Sequence, residues 1–417
     1  MTEGCDITRT DILHIVQSIA QSIRGDSAQQ IGKAAFFPNI SYTAELTRAQ
    51  NVKLALLAVN FLDIACETDK AQRLYDTLPT LPDLHAWADH LFAAWGKNSL
   101  CFNSSGSTGE PQRHRYSLPI LSDELKSSAP AFAGCKRIVS VMPVHHIFGM
   151  MYGPLLAKYL SVQIVYAPPL PLASFFHLLL PEDLIVAFPF FWQALLNMIL
   201  RTQKSSGLCF PPNVAGLTAT SPCPPEVIQG LLHLSASGKS PSLTAMTEIY
   251  GATETNGLGM RLNGADWYEL FSVWETSRLE DGSRGLRRRL PGGGMGPSQP
   301  MPDHITWHDE RRFKPERRTD NAVQVGGINV YPERVAEIIR GHPLVLDCAV
   351  RLMRPDEGLR LKAFIVPNLP LEESRQAFGK PFKDWMASQL ETAWRPKRIT
   401  LGEYLPVNAM GKLRDWE

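Results

Sequence analysis

FNSSGSTGEPQRHRY, residues 102–116, is the stretch on which the reading of this chain turns. An apolar approach, SLCF, runs into a succession of small residues: Ser104, Ser105, Gly106, Ser107, Thr108 and Gly109. Small side chains let a backbone come close to a phosphate, and its N–H groups and the hydroxyls then point at the oxygens. A Walker loop requires Lys after its last glycine, whereas here Gly109 is followed by Glu110. A Ser/Thr/Gly loop alone describes a surface linker equally well, so the rest of the chain has to decide.

Downstream, PVHHIFG (143–149), IYGATE (249–254), RRTDNAVQVGG (317–327) and LPVNAMGKLR (405–414) follow in order. Together with SSGSTGEPQ they resemble the adenylate-forming (AMP-binding) superfamily: acyl-CoA synthetases, aryl-acid ligases, peptide-synthetase adenylation domains and luciferases. A single match of this kind is weak, but the ordered set, spanning Asn103 to Arg414, is specific. The resemblance implies an α/β fold. A large N-terminal domain of the acyl-CoA synthetase type is expected over 1–318, a hinge at 319–320, and a small mobile C-terminal α+β lid over 321–417. The loop lies early in the chain, so part of the usual N-terminal subdomain is expected to be trimmed.

The implied activity is that of an AMP-forming acid–thiol ligase using ATP and Mg²⁺. A carboxylic acid attacks the α-phosphate, pyrophosphate leaves, and the acyl group passes to a thiol of CoA or of an acyl carrier protein. Such chemistry needs positioning and charge neutralisation rather than a covalent enzyme intermediate. By resemblance, Ser104–Gly109 hold the β- and γ-phosphates, Thr253 donates to the α-phosphate, and Tyr250, beside Gly251, stacks on adenine. Glu254 is the metal ligand, a hard oxygen donor suited to Mg²⁺. Asp303 clamps the ribose hydroxyls, Arg318 reaches the nucleotide, and Asp320 is the hinge. Lys412 stabilises the charge that develops between carboxylate and α-phosphate. His146, with His145 beside it, lines the acyl pocket. Adjacent residues on a strand face opposite ways, so the two histidines are not expected to pair on a metal.

Several positions depart from the pattern. Gln112 replaces a frequent phosphate-loop lysine, with Arg113 next to it as a possible substitute charge. Arg317 stands for a hinge glycine, Asn329 for a nucleotide-proximal arginine, and Arg334 for a common glutamate. These changes leave adenylation standing and bear mainly on the acceptor thiol.

The remaining sequence fits this frame. The chain has 417 residues, 20% charged, with a formal net charge of +1, which offers no global field for nucleic acid or an anionic membrane. The 7 cysteines are scattered without CxxC pairs, arguing against a zinc site or disulfide framework and for a cytoplasmic setting. The N-terminus lacks a signal-peptide pattern. The uncharged stretch 184–200 reads as a strand, 184–188, then a core helix from Phe190, rather than a membrane span. Ile12, Ile15, Val16 and Ile19 recur at helical spacing, and from about Leu100 short apolar runs alternate with helical segments, as in a doubly wound sheet. Residues 277–302, rich in Gly, Pro, Ser and Arg, read as a mobile loop whose Arg287, Arg288 and Arg289 offer a docking patch for an acidic carrier protein. AVQV and INV suggest a hairpin through Gly326-Gly327, followed by a helix from Pro332, two strands around PDEG, and a long helix within 371–393.

VMPVHHIFGMMYGPLLA carries no acid to meet an α-ammonium group, so an α-amino acid is not the expected substrate. His146, Phe148, Met150, Met151 and Tyr152 suit a flat or apolar acid. The chain as a whole resembles the short bacterial aryl-acid ligases related to 4-coumarate–CoA ligase and to hydroxybenzoate-activating enzymes. The alternatives are an aliphatic acyl ligase with the same chemistry and a catalytically inactive nucleotide-binding relic.

Overall fold

The computed structural model describes residues 6–24, 46–104, 112–202, 209–234, 242–301, 303–318, 322–354, 356–406 and 415–416. Two compact units emerge, one formed by Met1–Ser104 with Arg113–Arg317 and the other running from Arg318 to Glu417.

The larger unit begins with helices α1 (Arg9–Arg24), α2 (Arg48–Phe61), α3 (Thr68–Thr77) and α4 (Leu84–Ala94). The apolar stripe of α1 is buried: Ile12, Ile15 and Val16 are fully covered and Ile19 nearly so. Helix α2 starts on a capping box. Thr47 and Gln50 exchange side-chain-to-backbone hydrogen bonds, an arrangement worth about 1 kcal/mol. A two-stranded sheet follows, β1 (Ser99–Ser104) and β2 (Gln112–Ser117), and then α5 (Leu118–Ser128).

From here strands and helices alternate: β3 (Arg137–Ser140), α6 (Ile147–Met150), α7 (Leu156–Tyr159), β4 (Gln163–Tyr166), α8 (Ala173–Leu178), β5 (Asp183–Ala187), α9 (Pro189–Thr202), β6 (Ala215–Thr218), α10 (Pro225–Leu232) and β7 (Met246–Ala252). Strands β4, β3, β5, β6 and β7 lie side by side in that order, all parallel. Strand β5, DLIVA, is buried on both faces, and each of its large aliphatic side chains contributes about 1.5–3 kcal/mol. The apolar stretch 184–200 thus divides at Phe188 into β5 and α9. Among the described residues no helix is long and apolar enough to cross a membrane.

Beyond β7 the sheet changes character. Strands β8 (Asn256–Leu262) and β9 (Tyr268–Leu270) continue it antiparallel. Next come β10 (Trp274–Arg278), β11 (Arg284–Arg289) and β12 (Met295–Gln299), a separate antiparallel sheet. Strands β13 (Asp303–Trp307) and β14 (Arg312–Arg318) return to the edge of the main sheet, β14 antiparallel to β9.

The expected mobile loop over 277–302 is therefore corrected: half of it is strand, formed by the end of β10 and by β11 and β12. Gly282 and Gly292–Gly294 sit at the turns with positive φ, while Arg287, Arg288 and Arg289 alternate across β11. Arg287 and Arg289 pair with Glu275, Arg284 pairs with Glu310, and Arg288 turns inward to Glu124. Of the arginines in the expected docking patch, Arg288 is thus turned into the interior, while Arg287 and Arg289 share the single Glu275.

The smaller unit opens with a hairpin, β15 (Val323–Val325) and β16 (Ile328–Val330). Gly326 and Gly327 make its turn at φ +60° and +82°, a conformation that favours glycine at both positions. Helix α11 (Pro332–Arg340) leads to β17 (Val345–Leu352) and β18 (Leu361–Pro367), which pair antiparallel. The long helix expected within 371–393 is two helices, α12 (Leu371–Ala377) and α13 (Lys380–Gln389), broken at Phe378-Gly379. Pro381 lacks the N–H that a continuous helix would use, and in the first turn of α13 that loss is harmless. Strand β19 (Arg398–Leu401) completes the sheet parallel to β18.

Candidate active site

The turn between β7 and β8 is the best-defined part of the site. Gly251 faces Gly257 and Ala252 faces Asn256 across the hairpin, leaving Thr253, Glu254 and Thr255 at its tip. A Cβ on Gly251 would lie 2.1 Å from the Asn256 carbonyl oxygen, so the close approach of the two strands requires glycine. Asn256 adopts a left-handed φ of 60°, and Thr255 Oγ1 accepts the Ala252 N–H at 3.2 Å. The result is a rigid turn that leaves Glu254 exposed and Thr253 half-buried. Tyr116 Oη, from β2, donates to the Thr253 carbonyl at 2.7 Å.

Tyr250, in the same strand, donates through Oη to Asp303 Oδ2 at 2.8 Å. Its ring rests against Tyr268 and Phe313, with centroids 5.6 and 5.4 Å away. Asp303 is the first residue of β13 and is half-buried. Two sequence candidates from distant motifs are thus brought into direct contact.

The histidine motif departs from expectation. His145 and His146 lie in the turn between β3 and α6, not on a strand, and their rings meet at 4.4 Å with a 37° tilt. A turn, unlike a pleated strand, lets neighbouring side chains point the same way. His145 Nδ1 sits 2.7 Å from Ser18 Oγ of α1. His146 remains open to solvent although protein surrounds it at longer range, and that crowding lowers its pKa below the ordinary value. His145 is lowered further, by burial and then by its neighbour. Both are therefore neutral near pH 7. Phe148, Met150, Met151 and Tyr152, expected in the acyl pocket, are buried, and of the pocket candidates only His146 is exposed.

The His turn follows β3 and the Thr253-Glu254 turn follows β7, so both lie at the carboxyl ends of parallel strands, where ligands bind in open α/β sheets. Three strand spacings separate β3 from β7, about 14 Å. Between them, at the end of β6 and just beyond it, the hydroxyls of Thr218 and Thr220 are buried without a protein partner among the described residues. Thr220 has a left-handed φ of 79°, unusual for a β-branched residue. TATSPCPP reads in sequence only as a Pro-marked turn, and nothing in it signals this geometry.

The flanks of the small-residue loop are well ordered. Asp63, left-handed at the end of α2, receives Ser99 Oγ at 2.5 Å and Cys101 Sγ at 3.3 Å from β1, and Arg113 at 2.6 Å and Arg115 from β2. Arg113 is thus engaged by a buried carboxylate, which weakens its case as a stand-in for the lysine missing at Gln112. Ser104 ends β1, whereas Ser105, Gly106, Ser107, Thr108 and Gly109 lie outside the described residues, as do Asp320 and Lys412. Arg318 closes β14. His114 of β2 was not singled out by the sequence. Burial lowers its pKa and the charge of Glu254 opposes that shift, which puts it within electrostatic reach of the turn.

Among the described residues no cluster of three or more His, Cys, Asp or Glu could hold a metal. A lone exposed Glu254 fits a Mg²⁺ ion held mainly by phosphates and water, which asks for only one or two carboxylates.

Residues 93–273 match the AMP-binding enzyme family. The chain is 32% identical over 317 residues to a 4-coumarate–CoA ligase of Halorhodospira halophila, covering 76% of this chain and 75% of that protein. The chain belongs to the AMP-binding enzyme family. A 4-coumarate–CoA ligase of Rhodobacter capsulatus is 31% identical over 81% of this chain and 82% of its own length. Among solved structures, o-succinylbenzoate CoA synthetase of Bacillus subtilis shares the fold, with a TM-score of 0.61 at 16% identity over 82% of this chain and 75% of that one. The protein is an AMP-forming acid–thiol ligase with the acyl-CoA synthetase-like fold, a large N-terminal domain and a smaller C-terminal one.

Proposed function

We propose that this ligase activates a flat aromatic acid of the hydroxybenzoate or hydroxycinnamate type with MgATP and delivers it to the thiol of CoA. The observation that carries the nucleotide reading is the Tyr250–Asp303 hydrogen bond. It joins a flat ring suited to adenine with a carboxylate suited to ribose hydroxyls, beside Thr253 and Glu254. Ser104–Gly109 and Arg318 complete the nucleotide contacts, and Asp320 is the hinge of the small domain. Magnesium on Glu254 would neutralise charge on the phosphates. Lys412 supplies the cation at the carboxylate and α-phosphate, where such a donor acts on the transition state.

The aromatic preference is supported by the names of the relatives and by His146, neutral and open at the carboxyl edge of the sheet. CoA is favoured over a carrier protein by the names of the relatives and because Arg288 is buried against Glu124, Arg284 pairs with Glu310, and Arg287 and Arg289 share Glu275. The unpaired cysteines, Cys101 and Cys348 among them, support a reducing, cytoplasmic setting.

The test is acid-dependent ATP–pyrophosphate exchange over benzoate, hydroxybenzoates, cinnamates, short and medium fatty acids and amino acids, followed by thioester formation with CoA or phosphopantetheinylated carrier. Exchange with aryl acids and a CoA product is expected. Exchange confined to aliphatic acids overturns the pocket reading, and MgATP binding without exchange for any acid favours the relic.

A further inference from the structure

Glu124 of α5 is fully buried, stands outside every motif quoted above, and its bonding is unusual for a core carboxylate. Its Oε1 accepts the Gly257 N–H at 3.0 Å, and its Oε2 faces Arg288 Nη1 at 3.3 Å. Arg288 also donates to the Ile120 carbonyl at 2.9 Å and lies over the Trp274 ring, 5.2 Å from its centroid. Trp274 Nε1 in turn donates to the Gly257 carbonyl at 2.9 Å. Both polar atoms of Gly257 are thus held by buried side chains from other segments. A Cβ there would come within 2.6 Å of Glu124 Oε1, so the carboxylate fits against the bare backbone. Gly257 ends the tip that carries Thr253 and Glu254, and Tyr116 holds the other side of that tip at the Thr253 carbonyl.

A buried charge is costly, and a hydrophobic residue of similar volume would commonly serve stability as well. Here Glu124, Trp274 and Tyr116 each spend a hydrogen bond on the backbone of one turn, and Arg288 holds Glu124. We infer that Glu124, Arg288, Trp274 and Tyr116 are positioning residues that fix the Thr253-Glu254 turn for MgATP. The inference rests on the nucleotide role proposed above for that turn. Their part is to hold the backbone of that turn, three directly and Arg288 through Glu124, as supporting residues around a site commonly do.

The experiment measures the MgATP dissociation constant by calorimetry, together with KM for MgATP and for the acid and the melting temperature. The variants are Glu124→Leu, Glu124→Gln, Tyr116→Phe and, as a stability control in a separate core cluster, Leu195→Ala. Glu124→Leu removes the acceptor for Gly257, and a loss of affinity of roughly tenfold is expected, in the range of one buried hydrogen bond. Glu124→Gln keeps an acceptor oxygen and is expected to recover most of that loss. Tyr116→Phe should raise KM for MgATP several-fold, with KM for the acid unchanged. Leu195→Ala should lower the melting temperature without weakening MgATP. Folded Glu124→Leu and Tyr116→Phe proteins that bind MgATP like wild type overturn the inference, as does an equal loss in Leu195→Ala. A wild type that binds MgATP but exchanges with no acid sinks the ligase reading alone, since the affinities still report on the turn. A wild type that does not bind MgATP overturns both.

Discussion

The larger unit fixes the turn at 252–257 and the smaller unit fixes its C-terminal tail by opposite electrostatic means. At the turn a buried acid is underpaired. Glu124 has one backbone donor and a 3.3 Å contact to Arg288, and burial pushes its carboxyl up to about 7. At the tail a buried cation is richly paired. Lys362, 1% exposed, bonds Glu357 at 2.7 Å and the Trp416 carbonyl at 2.6 Å. Glu357 also receives Arg351 at 2.7 and 3.1 Å, and these donors hold its carboxyl well below the usual range. Arg351 donates to the Trp416 carbonyl as well, at 2.8 Å. The turn is thus braced mainly through hydrogen bonds to backbone, the tail through a network of charges.

The largest expected effect comes from the residue just before that tail. Lys412→Ala should reduce pyrophosphate exchange by about 10²–10³-fold, as loss of a transition-state donor does, with MgATP binding nearly intact. Equal loss of binding and turnover would mean that Lys412 acts on the ground state.

Lys362→Met breaks the tail network while keeping length. Removing one partner of a buried pair costs about 3–5 kcal/mol, so the smaller unit should unfold at lower urea, read by tryptophan fluorescence. An unchanged midpoint would show that the tail network is dispensable.

Tyr250→Phe keeps the ring and loses the hydrogen bond to Asp303, worth about 1 kcal/mol. KM for ATP should rise several-fold with little change in kcat. If both parameters stay constant, Asp303 does not depend on Tyr250 for its position.

The smallest effects are pH slopes of opposite sign. Glu124 has a raised folded pKa, so its contribution is fully present below about pH 4.5 and is lost as pH rises toward 7. Glu357 has a depressed folded pKa, so its contribution is present above about pH 4.5 and is lost as pH falls below that. Urea titrations across pH should show both slopes, with Glu124→Gln flattening the first and Glu357→Gln the second. A slope that survives its own substitution belongs to another group.

Much of the fold was legible because it rests on local signals. The α1 stripe at Ile12, Ile15, Val16 and Ile19, the β5 run DLIVA and the Gly326-Gly327 turn each follow from period or backbone freedom within a few residues. The 277–302 segment was misread because composition was weighed over alternation. Gly282 and Gly292–Gly294 mark turns, but Gly285, Gly296 and Pro297 lie within strands, and the strand signal in RGLRRR lies in which arginine turns inward. The helix expected within 371–393 failed on a local rule, since Gly379 and Pro381 interrupt it. At the site, Tyr250, Gly251, Thr253, Glu254 and Asp303 stood out through their motifs. Thr218, Thr220, His114 and the Asp63 hub did not, because their significance depends on neighbours far away in the chain.

The sequence by itself determined the family, the order of the motifs and the kind of chemistry, since these depend on residue types at short spacing. Only the tertiary structure decided which partners those residues have: Asp303 for Tyr250, Asp63 for Arg113, Glu124 for Arg288 and Gly257. The reason is physical. A buried charge or an unusual φ is stable only where several segments converge on it, and that convergence is a property of the packed chain rather than of any stretch of it.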